Sequence, residues 1–185
     1  MISRSVSDLP WVLCGPILRK VETRSVTVFA AFKRQTSVTL VVYEGQQRGD
    51  QPDYSMEVMR EHAESTVALG KNLHVLAIEA SKTPPERSLS SGKTYSYDLK
   101  IADPNSSRKS NLSGESLLTS EHPLGYSPEL LPTFAVSPGL KDLNLFHGSC
   151  RKPHGEGYDA LPILDDMIAD TRTDPAKRPH QLMLT

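Results

Sequence analysis

The sequence predicts a mainly β protein, in which an N-terminal antiparallel β-sandwich of the immunoglobulin or fibronectin III kind precedes a β-α-β segment. From residue 11 to 103, β-branched and aromatic residues alternate with polar ones, and turn-forming clusters separate six or seven short runs. From residue 143 onward, an apolar run, a helical pattern and a second apolar run follow one another. We therefore place the sandwich at residues 10–103, a Ser/Pro-rich linker or loop at 104–131 and the start of an α/β domain at 132–185.

The first two strong runs lie close together in the sequence. Residues 25–32 place Val26, Val28 and Ala30 on one face, and the run 37–43 follows after a short polar link. This spacing predicts a hairpin. A second hairpin is predicted from residues 66–69 and 73–80, because the Gly and Asn between them tolerate the backbone angles of a tight turn.

The last run of the sandwich, residues 94–101, alternates strictly between apolar and polar residues. We expect its apolar members to face one way, into the core. Aromatic residues at such positions can also form a platform for a sugar or a peptide, but they more often fill a sandwich core. The core-facing members of the run are Tyr95, Tyr97, Leu99 and Ile101, and the aromatic residues that could form a platform are Trp11, Tyr43, Tyr95 and Tyr97.

The segment 104–131 differs in composition from both neighbours, because serines are frequent and prolines interrupt any periodicity. This composition is typical of a linker or a long loop. An alternative is an ordered insertion from the second domain, packed by Leu117, Leu118, Leu124 and Tyr126.

The C-terminal segment predicts two short buried strands, at residues 143–147 and 181–185, joined by an amphipathic helix. Asp159 is the expected N-cap of that helix, and Pro162 falls in its first turn, where the missing N–H costs nothing. A strand, a helix and a strand in this order form one crossover unit between parallel strands. The helix spacing predicts a buried apolar stripe formed by Ala160, Ile163, Leu164, Met167 and Ile168. It predicts a solvated face that carries Asp165, Asp166 and Asp170.

The composition is that of a globular chain with balanced charge. Of 185 residues, 37% are hydrophobic and 23% are charged, with 21 Lys and Arg against 22 Asp and Glu. A net charge of -1 gives no overall attraction to phosphate backbones or anionic lipid, so we expect no nucleic-acid partner and no membrane partner. Cys14 and Cys150 lie far apart and no export signal is recognisable, so we expect free thiols and a cytoplasmic location.

The loop at residues 148–155 is the best site candidate, because it combines a thiol, two cations, glycines and an imidazole after a predicted strand. Arg151 and Lys152 would lower the pKa of the Cys150 thiol, and its thiolate could then act as a metal ligand or a nucleophile. The alternative is a buried packing cysteine. His62, His74 and His180 more often pack or lie at the surface than bind metal.

The sequence of this loop and of the segments around it resembles a known protein family. Residues 145–153 (Leu-Phe-His-Gly-Ser-Cys-Arg-Lys-Pro), 159–162 (Asp-Ala-Leu-Pro) and 178–185 (Arg-Pro-His-Gln-Leu-Met-Leu-Thr) resemble the entry into the catalytic domain of PhoD-like metallophosphatases, the enzymes related to alkaline phosphatase D. Residues 14–22 and 25–28 are similar to the opening of the β-sandwich domain that precedes the catalytic domain in this family.

This resemblance implies metal-dependent hydrolysis of a phosphoester substrate. Cys150 corresponds to the family's cysteine ligand of a site that holds iron and calcium, and Arg151 is the candidate substrate-binding residue. The family's next motif is a Gly-Asp pair with a nearby Tyr, which follows a strand ending like residues 182–185, and further acidic and histidine ligands come later. We therefore expect residues 1–185 to be the truncated N-terminal part of a longer hydrolase and to be inactive alone, with no firmly bound metal and with catalytic residues unknown.

Two other functions remain open at this point. The sandwich could be a stand-alone binding module that recruits a protein or a glycan. It could also be an accessory domain that docks intramolecularly on the missing catalytic domain and shields its cleft.

Overall fold

A computed structural model describes residues 5–63, 65–81, 88–121, 124–137, 139–148 and 160–184. The fold is mainly β with antiparallel sheets, as the sequence predicts. The strands and the helix have the following bounds: β1 Val12–Val21, β2 Ser25–Phe32, β3 Ser37–Glu44, β4 Glu57–Ala63, β5 Val67–Gly70, β6 Leu73–Ser81, β7 Thr94–Ala102, β8 Lys109–Ser110, β9 Thr133–Ala135, β10 Leu145–Gly148, α1 Leu161–Thr171 and β11 Gln181–Leu184.

Two antiparallel sheets share one hydrophobic core, an arrangement consistent with a β-sandwich. The first sheet has the strand order β1-β2-β6-β5, and the second has the order β4-β3-β7-β8 with β9 also paired to β7. Alternate residues of the central strands β2, β3 and β7 meet in the core because their side chains point to one face of each sheet. Trp11, Tyr43, Tyr95 and Tyr97 are all buried, which confirms the packing role expected for these rings.

The predicted hairpin between β2 and β3 is wrong. β2 pairs with β1 and β6, whereas β3 pairs with β4 and β7, so the two strands belong to different sheets. The link at residues 33–36 crosses between the sheets: the Lys33 backbone N–H donates to the Trp11 carbonyl, and the Trp11 indole donates to the buried Thr36 hydroxyl over 2.8 Å. A four-residue link permits a hairpin or a crossing, and these contacts stabilise the crossing.

The second predicted hairpin is confirmed, with β5 and β6 antiparallel around the turn at Lys71 and Asn72. The alternation along β7 is confirmed as well, because Tyr95, Tyr97 and Leu99 are buried on the core side. Its opposite face is also buried, however, and contains a carboxylate, Asp98. A strand with both faces covered needs a further layer outside the sheet.

The segment 104–131 provides that layer. It forms β8 and then returns over the sheet, burying Leu112, Leu118 and Leu131 in the hydrophobic core. The Asp98 carboxylate accepts hydrogen bonds from the Leu112 backbone N–H over 3.3 Å and from the Asn111 amide over 3.2 Å. The segment therefore packs against the sheet of the sandwich, and Leu118 is one of the residues that make this contact.

β10, α1 and β11 form a separate β-α-β unit whose two strands are parallel, as predicted. These strands are less buried than their composition predicts: Leu145, Leu182 and Met183 are about half exposed, on both faces of a sheet that has only two strands. No helix in the described part of the chain is long and apolar enough to cross a membrane.

The helix α1 also differs from its prediction. Pro162 lies in the first turn as expected, but the N-cap is Ala160 and makes no side-chain hydrogen bond, while Asp159 lies outside the described residues. Ile163 and Met167 are exposed and Leu164 is buried, so only part of the predicted stripe packs inward. The spacing identifies an amphipathic helix, but its packing partner determines which part of the stripe is covered.

Candidate functional site

The predicted site residues Cys150 and Arg151 lie outside the described residues, within the gap at 149–159. The structure does describe the strand that leads into this loop. β10 ends at Gly148, directly before the gap, and Gly148 pairs with Leu184 at the end of β11. The carboxyl ends of the two parallel strands therefore meet at one edge, which is where ligands bind in open α/β sheets.

The described residues do not provide a metal site by themselves. Within the described ranges, no group of three or more His, Cys, Asp or Glu side chains is close enough to hold a metal ion. Iron and calcium sites need several protein ligands in one place. Cys150, the ligand position that the resemblance assigns in residues 1–185, lies outside the described residues.

Of the three histidines expected to pack or to lie at the surface, His62 and His180 make structural contacts. His62 is exposed and its Nδ1 lies 2.8 Å from the Thr39 hydroxyl on the neighbouring strand. The Nδ1 atom of His180 accepts a hydrogen bond from the Asn144 backbone N–H over 3.1 Å, and its Nε2 atom donates to the Pro175 carbonyl over 3.1 Å. Both ring nitrogens of His180 are therefore used to join the start of β10 to the connection before β11.

A cavity of about 280 Å³ lies where the β-α-β unit meets the sandwich. We call it the junction cavity. Its walls come from β1, β7, β9, α1 and the connection between α1 and β11. The side chains that matter for its chemistry are Leu18, Tyr97, Tyr126, Thr133, Leu164 and Arg178.

Arg178 is the most unusual residue in the junction cavity, because its charged side chain is only 6% exposed. Its Nη1 atom donates to the Thr133 hydroxyl over 2.6 Å, and its Nη2 atom donates to the Thr133 carbonyl. These acceptors are neutral, and no carboxylate among the described residues lies within salt-bridge distance of Arg178. Burial accordingly lowers the pKa of this guanidinium from its ordinary value.

Tyr126 provides a second contact across the junction. Its hydroxyl donates to Asp165 of α1 over 2.7 Å. Burial, and then the hydrogen bond to this carboxylate, raise the pKa of Tyr126 well above its ordinary value, so the phenol remains a donor. The helix spacing predicts only a solvated position for Asp165, whereas the structure shows that it also anchors the helix to the segment 104–131.

Sequence reasoning missed Arg178 as a functional candidate. It precedes a proline, and no pattern around it signals a buried charge. The strong apolar pattern of the strand that follows could have suggested partial burial, but the position of its guanidinium depends on contact with β9.

Comparison with known proteins gives no further assignment, since neither a family model nor a curated protein matches the chain. A functional conclusion must therefore come from this chain's residues and their geometry.

Proposed function

We propose that this chain is the N-terminal part of a metal-dependent phosphoester hydrolase similar to the PhoD-like metallophosphatases. In this proposal Cys150 is a metal ligand and Arg151 contacts the phosphoester. The supporting observation is the arrangement of the described strands: β10 ends at Gly148, two residues before Cys150 in the sequence, and Gly148 pairs with Leu184 at the end of β11. The edge where both strands end is the usual ligand side of parallel strands.

The exposed strands of the β-α-β unit also support the proposal. A 2-stranded parallel sheet is too small to be stable alone, and parallel sheets are normally covered on both faces. Leu145 and Leu182 leave apolar surface uncovered. We infer that the unit belongs to a larger α/β domain and that the sandwich docks on that domain through the junction at Arg178 and Tyr126.

The experiment compares cysteine variants of the protein in a form that continues past residue 185, with iron and calcium supplied. We expect Cys150→Ser to lose bound metal and at least about tenfold of the phosphoesterase rate, because a neutral hydroxyl is a poor substitute for a thiolate ligand. Cys14→Ser is the matched control, since Cys14 is an exposed free cysteine on β1. It should retain both metal and rate. Residues 1–185 alone should show no turnover above buffer.

Three results would contradict the proposal: unaltered metal content and rate in Cys150→Ser, equal losses in both cysteine variants, or metal-dependent turnover by residues 1–185 alone. Metal content is measured by elemental analysis of the purified protein and the rate with mono- and diester substrates. Circular dichroism of both variants separates a loss of metal from a loss of folding.

A stand-alone interaction module is the second candidate, and one observation favours it. β5 is an edge strand of the first sheet, and its Val67 and Leu69 side chains are 63% and 65% exposed. Exposed apolar side chains on an open edge are typical of surfaces that bind another chain. An interaction module needs neither Cys150 nor a metal, so a metal-free, inactive extended chain would favour it.

A further inference from the structure

We propose that the junction cavity binds a small oxyanion, a phosphate or a short carboxylate, through Arg178. This site would be a second function of the chain, and it depends neither on Cys150 nor on a bound metal. The ligand class follows from three properties of the cavity, namely its charge, its unused hydrogen-bond donors and its size.

The charge of the cavity favours an anion. Arg178 is almost fully buried and donates only to the neutral oxygens of Thr133. A buried cation without a counter-charge costs free energy, and an anion that enters the cavity would lower that cost by pairing with the guanidinium. None of the described residues that line the cavity is acidic, and Arg178 is the charged residue among them.

Two residues that line the cavity have hydrogen-bond donors with no partner among the described residues. A guanidinium carries five N–H donors, and two hydrogen bonds to Thr133 leave the others available. Tyr97 lines the cavity as well, and its hydroxyl makes no hydrogen bond within the described part of the chain. Arginine presents its donors in a planar fork that matches the oxygens of carboxylates and phosphates.

The size and lining restrict the ligand to a small molecule. A volume of about 280 Å³ is close to the lower end, about 300 Å³, of pockets that bind small ligands. Leu18, Phe134 and Leu164 supply an apolar wall beside the guanidinium. The cavity therefore suits an oxyanion that is bare or carries a short apolar body.

The test is a binding titration of the purified chain followed by amide chemical shifts. Phosphate and butyrate are titrated separately at constant ionic strength, with chloride as the reference anion. We expect saturable shifts at Thr133, Ala135 and Ile168, which line the cavity, and none at Leu40 in the sandwich core. If phosphate saturates the shifts at lower concentration than butyrate, the cavity prefers a tetrahedral oxyanion, and the reverse order shows a preference for a planar one.

Arg178→Gln should weaken the binding at least tenfold. The matched control is Arg172→Gln, which removes the same charge from the C-cap of α1, where the guanidinium donates to the Ala169 carbonyl. Arg172→Gln should bind like the wild type. No saturable shift in the wild type, or equal binding by both variants, would overturn the proposal and leave Arg178 as a clamp onto Thr133.

If circular dichroism shows that Arg178→Gln is unfolded, two milder variants decide. Arg178→Lys keeps the charge and loses the fork, and Tyr97→Phe removes only the free hydroxyl. We expect each to remain folded and to bind several-fold more weakly. Wild-type affinity in both, or unfolding of Arg178→Lys together with wild-type affinity in Tyr97→Phe, would overturn the site.

Discussion

The sandwich and the β-α-β unit contain similar apolar strands, but they bury them very differently. Leu40, Val41 and Val42 of β3 are fully buried, whereas Leu145 of β10 and Leu182 of β11 are 48% and 46% exposed. The residue types are comparable, and the difference lies in the layers above and below each strand. Burial, and hence stability, is a property of the packed layers and not of the strand sequence alone.

The two regions also differ in the number of buried contacts that hold them in the fold. Inside the sandwich, one continuous core joins both sheets and the segment 104–131. The β-α-β unit meets this body through the buried Leu164, the Arg178–Thr133 contact and the Tyr126–Asp165 hydrogen bond. Elements held by few buried contacts open at lower free energy than the core. We therefore expect the unit to unfold locally before the sandwich does.

The largest expected effect comes from making the same Leu→Ala substitution in each of the two regions. Leu40→Ala should lower the free energy of unfolding by about 2–5 kcal/mol, because it removes a fully buried side chain and leaves a cavity. Leu182→Ala should lower it by less than about 1 kcal/mol, because its side chain already contacts water. The measurement is denaturant unfolding followed by the fluorescence of the single, buried Trp11.

Trp11 reports the sandwich, so the same titration should also be followed by α-helical circular dichroism. We expect the helical signal to change at lower denaturant than the fluorescence. Equal costs for the two Leu→Ala variants, together with coincident transitions, would show that both regions form one cooperative unit.

A smaller effect is expected from the buried Asp98, which belongs to the sandwich. Burial raises the pKa of this carboxyl above its ordinary value, although the hydrogen bonds from Leu112 and Asn111 oppose the shift. A folded-state pKa above the unfolded value, about 3.9, means that the native state binds the proton more tightly. The stabilisation that Asp98 contributes by this tighter proton binding is complete below about pH 3.9 and is lost as the pH rises through the folded-state pKa.

The measurement compares the wild type with Asp98→Asn, which cannot titrate, between about pH 3.5 and 7. The difference in free energy of unfolding should move in favour of the variant as the pH rises. Asp174 supplies the opposite control: the hydrogen bond from Lys177 lowers the pKa of this exposed carboxyl, so Asp174→Asn should show the reverse trend. A difference between wild type and Asp98→Asn that stays constant with pH would contradict the buried-carboxylate account.

The predictable part of the fold is local. Alternation along β7 places Tyr95 and Tyr97 in the core, because a strand's period follows from its own residues. The burial of Asp98 on the opposite face is not predictable, since it depends on the return of the segment 104–131 over the sheet. The predicted β2–β3 hairpin is wrong because it too depends on residues distant in the sequence. Thr36 is hydrogen-bonded to Trp11 and Thr66, and these buried contacts hold the link between the two sheets.

The site is less predictable than the fold. The sequence singles out Cys150 and Arg151 by their chemistry, and the structure describes only the strand that leads to them. Arg178 carries no such signal, because a single Arg in a polar connection is ordinarily exposed. Tyr126 is predicted only as a packing residue of the alternative insertion. The burial of Arg178 and the partial burial of Tyr126 depend on the meeting of the β-α-β unit and the sandwich.

The smallest expected effect concerns the hydrogen bond across that junction. Tyr126→Phe removes the hydroxyl that donates to Asp165 while keeping the ring. A single hydrogen bond of this kind contributes about 0.5–1.5 kcal/mol, and more where the acceptor is charged. Amide hydrogen exchange should therefore speed up by about three- to tenfold within α1 and remain unchanged in β3. Tyr54→Phe is the control, because that ring is exposed and its hydroxyl makes no hydrogen bond in the described part of the chain. Faster exchange in β3 as well would mean that the junction stabilises the whole molecule, and unchanged exchange in α1 would mean that Leu164 and Arg178 hold the helix without Tyr126.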